Sequence, residues 1–225
     1  MTQSEACAVL LAQLERLMQG STAEHPLWSQ ENLRSGQPNR WNYIDGCMMQ
    51  AMLALREATG KEEYLRFVDA FVGWFVQEEG SIHTYDAAEQ NLDNIHMGTS
   101  LFPLYALTGK PKYRLAMDTL YRQLQSAPRT REGSFWHKKI YPNQVWLDGL
   151  YMAQPFYMEY ETRYHGMRGC GDVFLQFKNV RRHMCDPKTG LYFHGYDESR
   201  AMPWADRQTG LSRSFWLRAM GWLYL

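Results

Sequence analysis

The sequence predicts an all-α fold of stacked or circularised helical hairpins. Two observations predict it: an internal repeat of about 49 residues, and apolar residues recurring at helical spacing through most of the chain. Leu55, Thr59, Gly60, Lys61 and Tyr64 return without a gap as Leu104, Thr108, Gly109, Lys110 and Tyr113. In each copy an apolar helical pattern stops at Thr-Gly, where glycine supplies the left-handed cap, and a second helix starts with a Tyr facing inward.

The first helix is predicted at 4–19, where Ala6, Val9, Leu10, Leu14 and Leu17 alternate with Glu5, Glu15 and Arg16 from Thr2 to Gly20. This stretch has neither the basic start nor the unbroken apolar run of a signal peptide, so it reads as a surface helix of a cytoplasmic protein. Helices follow at 44–59 and 62–77, with Met48, Met49 and Met52 read as core and Lys61-Glu62-Glu63 as a solvated helix start. The second copy of the repeat gives 97–108 and 111–125, with Pro111 in a first turn where its missing N–H costs nothing. Further helices are expected at 148–165 and 172–185, and another beginning near Ser214. Between them, 186–212 breaks the pattern. Asp186-Pro187-Lys188-Thr189-Gly190 is a turn, Leu191-Tyr192-Phe193 reads as a short strand, and the whole is expected to be a loop covering the site.

Composition restricts the function. At 225 residues and 45% hydrophobic the chain can bury a substantial core. Lysine plus arginine and aspartate plus glutamate number 24 each, which lacks the basic surplus of a nucleic-acid binder. Cys7, Cys47, Cys170 and Cys185 form no CxxC pair, and no run approaches the ~20 apolar residues of a membrane span. No metal site, cofactor, nucleic acid or membrane is therefore expected.

The richest segment runs from Phe135 to Tyr157, where Asp148 stands among Trp136, His137, Lys138, Tyr141, Trp146 and Tyr151. A carboxyl with aromatic, imidazole and ammonium neighbours suits sugar chemistry: a proton donor, flat faces for stacking, and cations for an acidic substituent. The alternative is a structural one, in which Asp148 caps a helix ahead of Leu150, Met152 and Ala153. Asp45, Asp93, Asp148 and the pair Trp216/Arg218 all fall at the starts of alternate predicted helices. If those helices form an inner ring, the four positions share one rim, where helix dipoles favour an anionic ligand.

These residues carry a resemblance. Trp41-Asn42-Tyr43, Leu92-Asp93-Asn94-Ile95, the segment 135–157, Asp186 to Asp197, Pro203-Trp204-Ala205-Asp206 and Phe215 to Trp222 resemble the unsaturated rhamnogalacturonyl hydrolases of glycoside hydrolase family 105. The resemblance implies a single (α/α)6 barrel domain over 1–225, with its C-terminal part apparently missing, since six hairpins at this period need roughly 300 residues. It further implies catalytic carboxylates at Asp93 and Asp148. Tyr43, Asp45, His137, His194, Trp216, Arg218 and Trp222 are implied as contacts to the sugar. Asp45 replaces a frequent Asn, and His96-Met97-Gly98 replaces a proline-containing turn.

The implied substrate is an oligosaccharide ending in a 4,5-unsaturated uronic acid, with no cofactor. Asp148 would protonate C4 of the vinyl ether and then activate the water that adds at C5, while Asp93 stays ionised. Close placement of Asp93 and partial burial would favour the proton on Asp148. Arg218 and Trp222, spaced i,i+4, would offer a guanidinium to the uronate carboxylate beside an indole. Rival readings are an unsaturated glucuronyl hydrolase acting on glycosaminoglycan disaccharides, a non-catalytic glycan-binding toroid, and a sugar isomerase or epimerase, which would need paired His at helix starts.

Overall fold

The computed structural model describes residues 3–225; Thr2, where the amphipathic N-terminal pattern begins, lies outside the described residues, as does the first residue of the expected 1–225 domain. Helices α1 (Gln3–Gln19), α2 (Gln30–Ser35), α3 (Tyr43–Thr59) and α4 (Glu62–Phe75) are followed by α5 (Asp93–His96) and α6 (Leu101–Thr108). Then come α7 (Pro111–Ser126), α8 (Asp148–Tyr164), α9 (Cys170–Met184) and α10 (Leu217–Tyr224). The expected hairpins form: α3 packs on α4, α6 on α7 and α8 on α9, while α5 packs between α3 and α8.

The repeat turns out to be a cross-hairpin clamp. Gly60 and Gly109 take the left-handed conformation (φ 71° and 68°), and the preceding Thr59 and Thr108 donate their hydroxyls to the carbonyls of Leu55 and Leu104. Lys61 and Tyr64 then both engage Glu15 of α1, at 3.2 Å each. Lys110 and Tyr113 both engage Asp69 of α4, the tyrosine at 2.6 Å. Each new hairpin thus fastens to an acid on the outer helix before it. The two tyrosine rings are fully buried, beside Met49, Met52, Phe75, Leu104 and Met117 in the main core.

Several elements differ from expectation. Regular structure in the fourth helical region starts at Asp93, passes through a 3-10 turn at Met97–Ser100 and only then becomes α6. Pro103 explains the tightened turn, because it has no N–H to give to the carbonyl of residue 99. The short α2 was not expected. Nor were strands β1 (Gln144–Trp146) and β2 (Gly195–Asp197), which pair antiparallel with Trp146 opposite Gly195. The expected strand at 191–193 is displaced: Tyr192 and Phe193 make only isolated bridges, to Cys185 and Phe215, and the ladder lies just beyond them.

Two contacts set the inner helices close enough to build a site. A methyl group on Gly46 of α3 would lie 2.8 Å from the Cα of Met97 and 2.9 Å from the His96 ring, so this glycine is what lets α3 press on the end of α5. On the far side, Pro155 within α8 has no N–H for the carbonyl of Tyr151, and the Tyr151 ring packs against the His96 ring with centroids 4.6 Å apart.

Candidate active site

Backbone pairing brings the chemistry-bearing residues to one end of the helical array. The amide of Leu92 donates to His137 O (3.1 Å), that of His137 to Gln144 O (2.8 Å), and that of Leu147 to His194 O (3.1 Å). The residues next to Asp93 and Asp148 are therefore tied to the loops carrying His137 and His194. Asp93 and Asp148 open α5 and α8, and neither helix has a side-chain cap. Asp148 does not act as the cap of α8: Leu147 holds that position, and no side chain accepts a capping hydrogen bond there.

The two carboxyls sit in unlike surroundings. Asp93 lies 3.2 Å from His137 Nε2 through one oxygen and 2.7 Å from Lys138 Nζ through the other. Burial alone would raise its pKa, but the hydrogen bond and charge of His137 and the ammonium of Lys138 win, holding the carboxyl down at about 2. Lys138, expected as a cation for substrate, is thus committed to Asp93. Asp148 Oδ2 lies 3.1 Å from His194 Nε2, and the two can share one proton: a protonated carboxyl donates to the ring, or the ring donates to the carboxylate.

Aromatic groups wall the mouth. Trp146 stacks on His137 (4.5 Å between centroids, 18°) and on Tyr141 (5.0 Å, 20°), and its other neighbour is His194. His194 meets Trp216 edge-on at 4.8 Å, and the guanidinium of Arg218 rests 4.0 Å above the Trp216 ring. Trp222 packs against Tyr43 and Tyr151. The Tyr43 hydroxyl is pushed up in pKa first by burial and then by the charge of Asp93, partly offset by Arg218 and reinforced by Asp148, so it lies within the field of all three. Arg218 and Trp222 diverge despite their i,i+4 spacing: the arginine turns to Trp216 and the indole to the tyrosines.

Asp45 is a correction to the expected set. It is fully buried, and its oxygens accept from Trp28 Nε1 (2.7 Å), Asn39 Nδ2 (2.6 Å) and Asn42 Nδ2 (2.9 Å), leaving no side open to a sugar. Its proximity to a helix start in sequence says nothing about which way the side chain turns. Burial outweighs these three bonds and raises its pKa to about 6. Because the folded value exceeds the unfolded one, its contribution to stability is complete below about pH 4 and is lost as pH rises through 6. The stability difference between wild type and Asp45→Asn should therefore fall, by up to about 3 kcal/mol, between pH 4 and 7 in urea titrations. A difference that stays constant across that range would refute the raised pKa.

His96 and Cys47 complete the wall beside Tyr151, and these two were not among the expected contacts. The His96 ring packs on Tyr151 with centroids 4.6 Å apart and planes tilted by 33°, and its Nε2 lies 3.5 Å from Cys47 Sγ. Burial lowers its pKa to about 4, against the pull of Asp93 and the Tyr151 carbonyl, so it is neutral at physiological pH. The departure of His96 from the proline-containing pattern was visible in the sequence; its contact with α8 was not. Among the described residues no three His, Cys, Asp or Glu side chains are grouped to hold a metal ion, and no helix is long and apolar enough to cross a membrane.

Comparison with known proteins adds the following. The family model for Glycosyl Hydrolase Family 88 matches residues 16–225. The unsaturated rhamnogalacturonyl hydrolase YesR of Bacillus subtilis is 26% identical over 191 residues, covering 82% of this chain and 52% of that protein. A solved structure of a C. acetobutylicum ATCC 824 glycoside hydrolase from family 105 matches with TM-score 0.81 and 41% identity, covering 82% of this chain and 51% of its own. The GH76A α-1,6-mannanase of Salegentibacter, at 18% identity and TM-score 0.65, shares the fold. The chain spans about half the length of the relatives it matches. With these neighbours the helical array is part of an (α/α)6 barrel, of which the chain covers about half.

Proposed function

The chain belongs to Glycosyl Hydrolase Family 88, and from that premise we propose that it releases the terminal 4,5-unsaturated galacturonic acid from unsaturated rhamnogalacturonan oligosaccharides. The reaction is hydration of the C4=C5 vinyl ether. The observation that carries this reading is the pair of dissimilar carboxyls at one mouth: Asp93 held ionised by His137 and Lys138, and Asp148 in hydrogen-bond contact with His194. Similarity to the unsaturated rhamnogalacturonyl hydrolase YesR of B. subtilis supports the choice of substrate.

Asp148 gives its proton to C4, and the electron pair of the C4=C5 bond forms the new C–H bond. Positive charge is left shared between C5 and the ring oxygen. Water then adds at C5 and returns a proton to the Asp148 carboxylate, with His194 steadying the group in both states. The C5 hemiketal opens by breaking its bond to the ring oxygen. This leaves a hemiacetal at C1 that releases the aglycone alcohol. Asp93 does not take part in proton transfer; its fixed negative charge faces the cation as it develops.

Addition of the protein to unsaturated rhamnogalacturonan oligosaccharides should abolish the ultraviolet absorbance of the conjugated double bond, with release of the saturated aglycone followed by chromatography. Persistence of the chromophore would count against the reading. The same assay on N-acetylhexosamine-linked unsaturated disaccharides separates it from glucuronyl hydrolase activity. Arg218→Ala should raise KM about tenfold or more with a smaller fall in kcat, because the guanidinium meets the uronate carboxylate in ground and transition states alike. A fall confined to kcat would move Arg218 out of that role.

A further inference from the structure

A cavity of about 360 Å3 opens beside the catalytic mouth, its wall including Trp146, His194, Trp204, Ser212, Arg213 and Ser214. His194 also contacts Asp148, and Trp146 stacks on His137, the partner of Asp93, so the cavity adjoins the mouth that holds the two acids. Its outer wall is a pinned loop. Ala205 bridges Ser212, Leu211 bridges Tyr196, and the amide of Asp197 donates to Gly210 O at 2.8 Å. The buried Asp197 carboxylate gathers the amides of Ser199, Ala201 and Met202, fixing the turn that leads into Trp204. A methyl group on Gly195 would lie 3.3 Å from the Trp204 ring and 3.6 Å from Trp146, so the two indoles approach each other over bare backbone.

The polar groups of this wall are few. The Ser212 hydroxyl is already used, accepting from Gly195 N and donating to Ser214 O. Arg213 is exposed, and Asp206, whose charge it feels, is occupied by the amides of Gln208 and Thr209 and the Thr209 hydroxyl. Among the described residues no carboxylate lines the cavity. Indole faces with one guanidinium suit a ring with an apolar face and an anion nearby, and offer nothing to a cationic amino sugar.

We infer that this cavity is the subsite for the aglycone: Trp204 stacks the sugar from which the unsaturated uronate is cut, and Arg213 receives an acidic group carried by the aglycone. The inference rests on the proposed function. The acidic group is a carboxylate of a following uronate or a sulfate ester, and the assay distinguishes them.

The test compares four substrates: the methyl glycoside of the unsaturated uronate, a rhamnose-linked disaccharide, a tetrasaccharide with a second uronate, and a sulfated disaccharide. Trp204→Ala should lower kcat/KM about tenfold on the three oligosaccharides and less than about twofold on the methyl glycoside. Trp204→Phe, which keeps a ring, should recover most of the loss and guards against misfolding. Arg213→Gln should cost about fivefold on the tetrasaccharide or the sulfated disaccharide, whichever carries the matching anion, and nothing on the neutral aglycone, with the difference shrinking in high salt. Equal losses on the methyl glycoside, or no loss on any substrate, would overturn the assignment. If wild type consumes none of the four, the proposed function fails. Calorimetric binding of a saturated tetrasaccharide, weakened by Arg213→Gln or absent altogether, then upholds or overturns the subsite by itself.

Discussion

Asp148→Asn should leave binding nearly intact while kcat falls by a factor of about 10² to 10⁴, the usual worth of a positioned general acid. The amide keeps the size of the carboxyl and still offers a partner to His194, 3.1 Å away. What it lacks is a proton for C4 and a base for the attacking water, so both halves of the hydration suffer together. KM measured beside kcat distinguishes this from a binding defect, and circular dichroism shows that the helices remain. Near-normal kcat would transfer the role of acid to another group, with Asp93 the first to examine.

Asp93→Ala should be as harmful by a different route. It strips the carboxylate from Lys138 and from the His137 imidazole, which is 2% exposed, leaving two donors crowded beside each other without an acid. Breaking a buried pair from one side costs about 3 to 5 kcal/mol, visible as a lower urea midpoint together with loss of turnover. The double variant Asp93→Ala with Lys138→Met separates the two losses, because removing the stranded ammonium should restore much of the stability and none of the activity. Recovery of activity in the double variant would show that Asp93 serves only to neutralise Lys138. In wild type, the pair's stability is present above about pH 4 and drains away as pH falls towards 2, the opposite sense to Asp45.

Much of this was legible in the chain. Helical hairpins followed from apolar spacing and from the Thr-Gly corners, because both are local: a left-handed cap and an amphipathic face need no distant partner. The acids that the repeated Lys and Tyr reach were not legible, since Glu15 and Asp69 stand at different distances before their clamps and no register aligns them. The two-stranded ladder was hidden for a similar reason. Three residues are too few to show a period, and β1 exists only because β2 arrives from the loop beyond α9.

The site divided along the same line. Asp93, His137, Asp148 and His194 were singled out by residue type and by resemblance, and they are gathered at one end. Which partner each finds is not visible in the sequence: Lys138 belongs to Asp93 rather than to the substrate, and Asp45 to Trp28 and two asparagines rather than to the sugar. Burial decides both cases, and a pattern of residue types cannot express it. The catalytic assignments remain proposals that the two aspartate substitutions are designed to decide.

The polar partnerships at the mouth each join one repeat to the next: Asp93 to His137 and Lys138, then Asp148 to His194. During synthesis the amino-terminal hairpins leave the ribosome first and fold as they emerge. Asp93 therefore waits about one repeat for its counter-charges, and Asp148 waits about another for its imidazole. Each interval leaves a newborn carboxylate hydrated and unburied until the segment able to neutralise it has been made. The order of translation thus keeps these two acids in water until their partners are made, and a pause between the two repeats would lengthen the exposure of one of them.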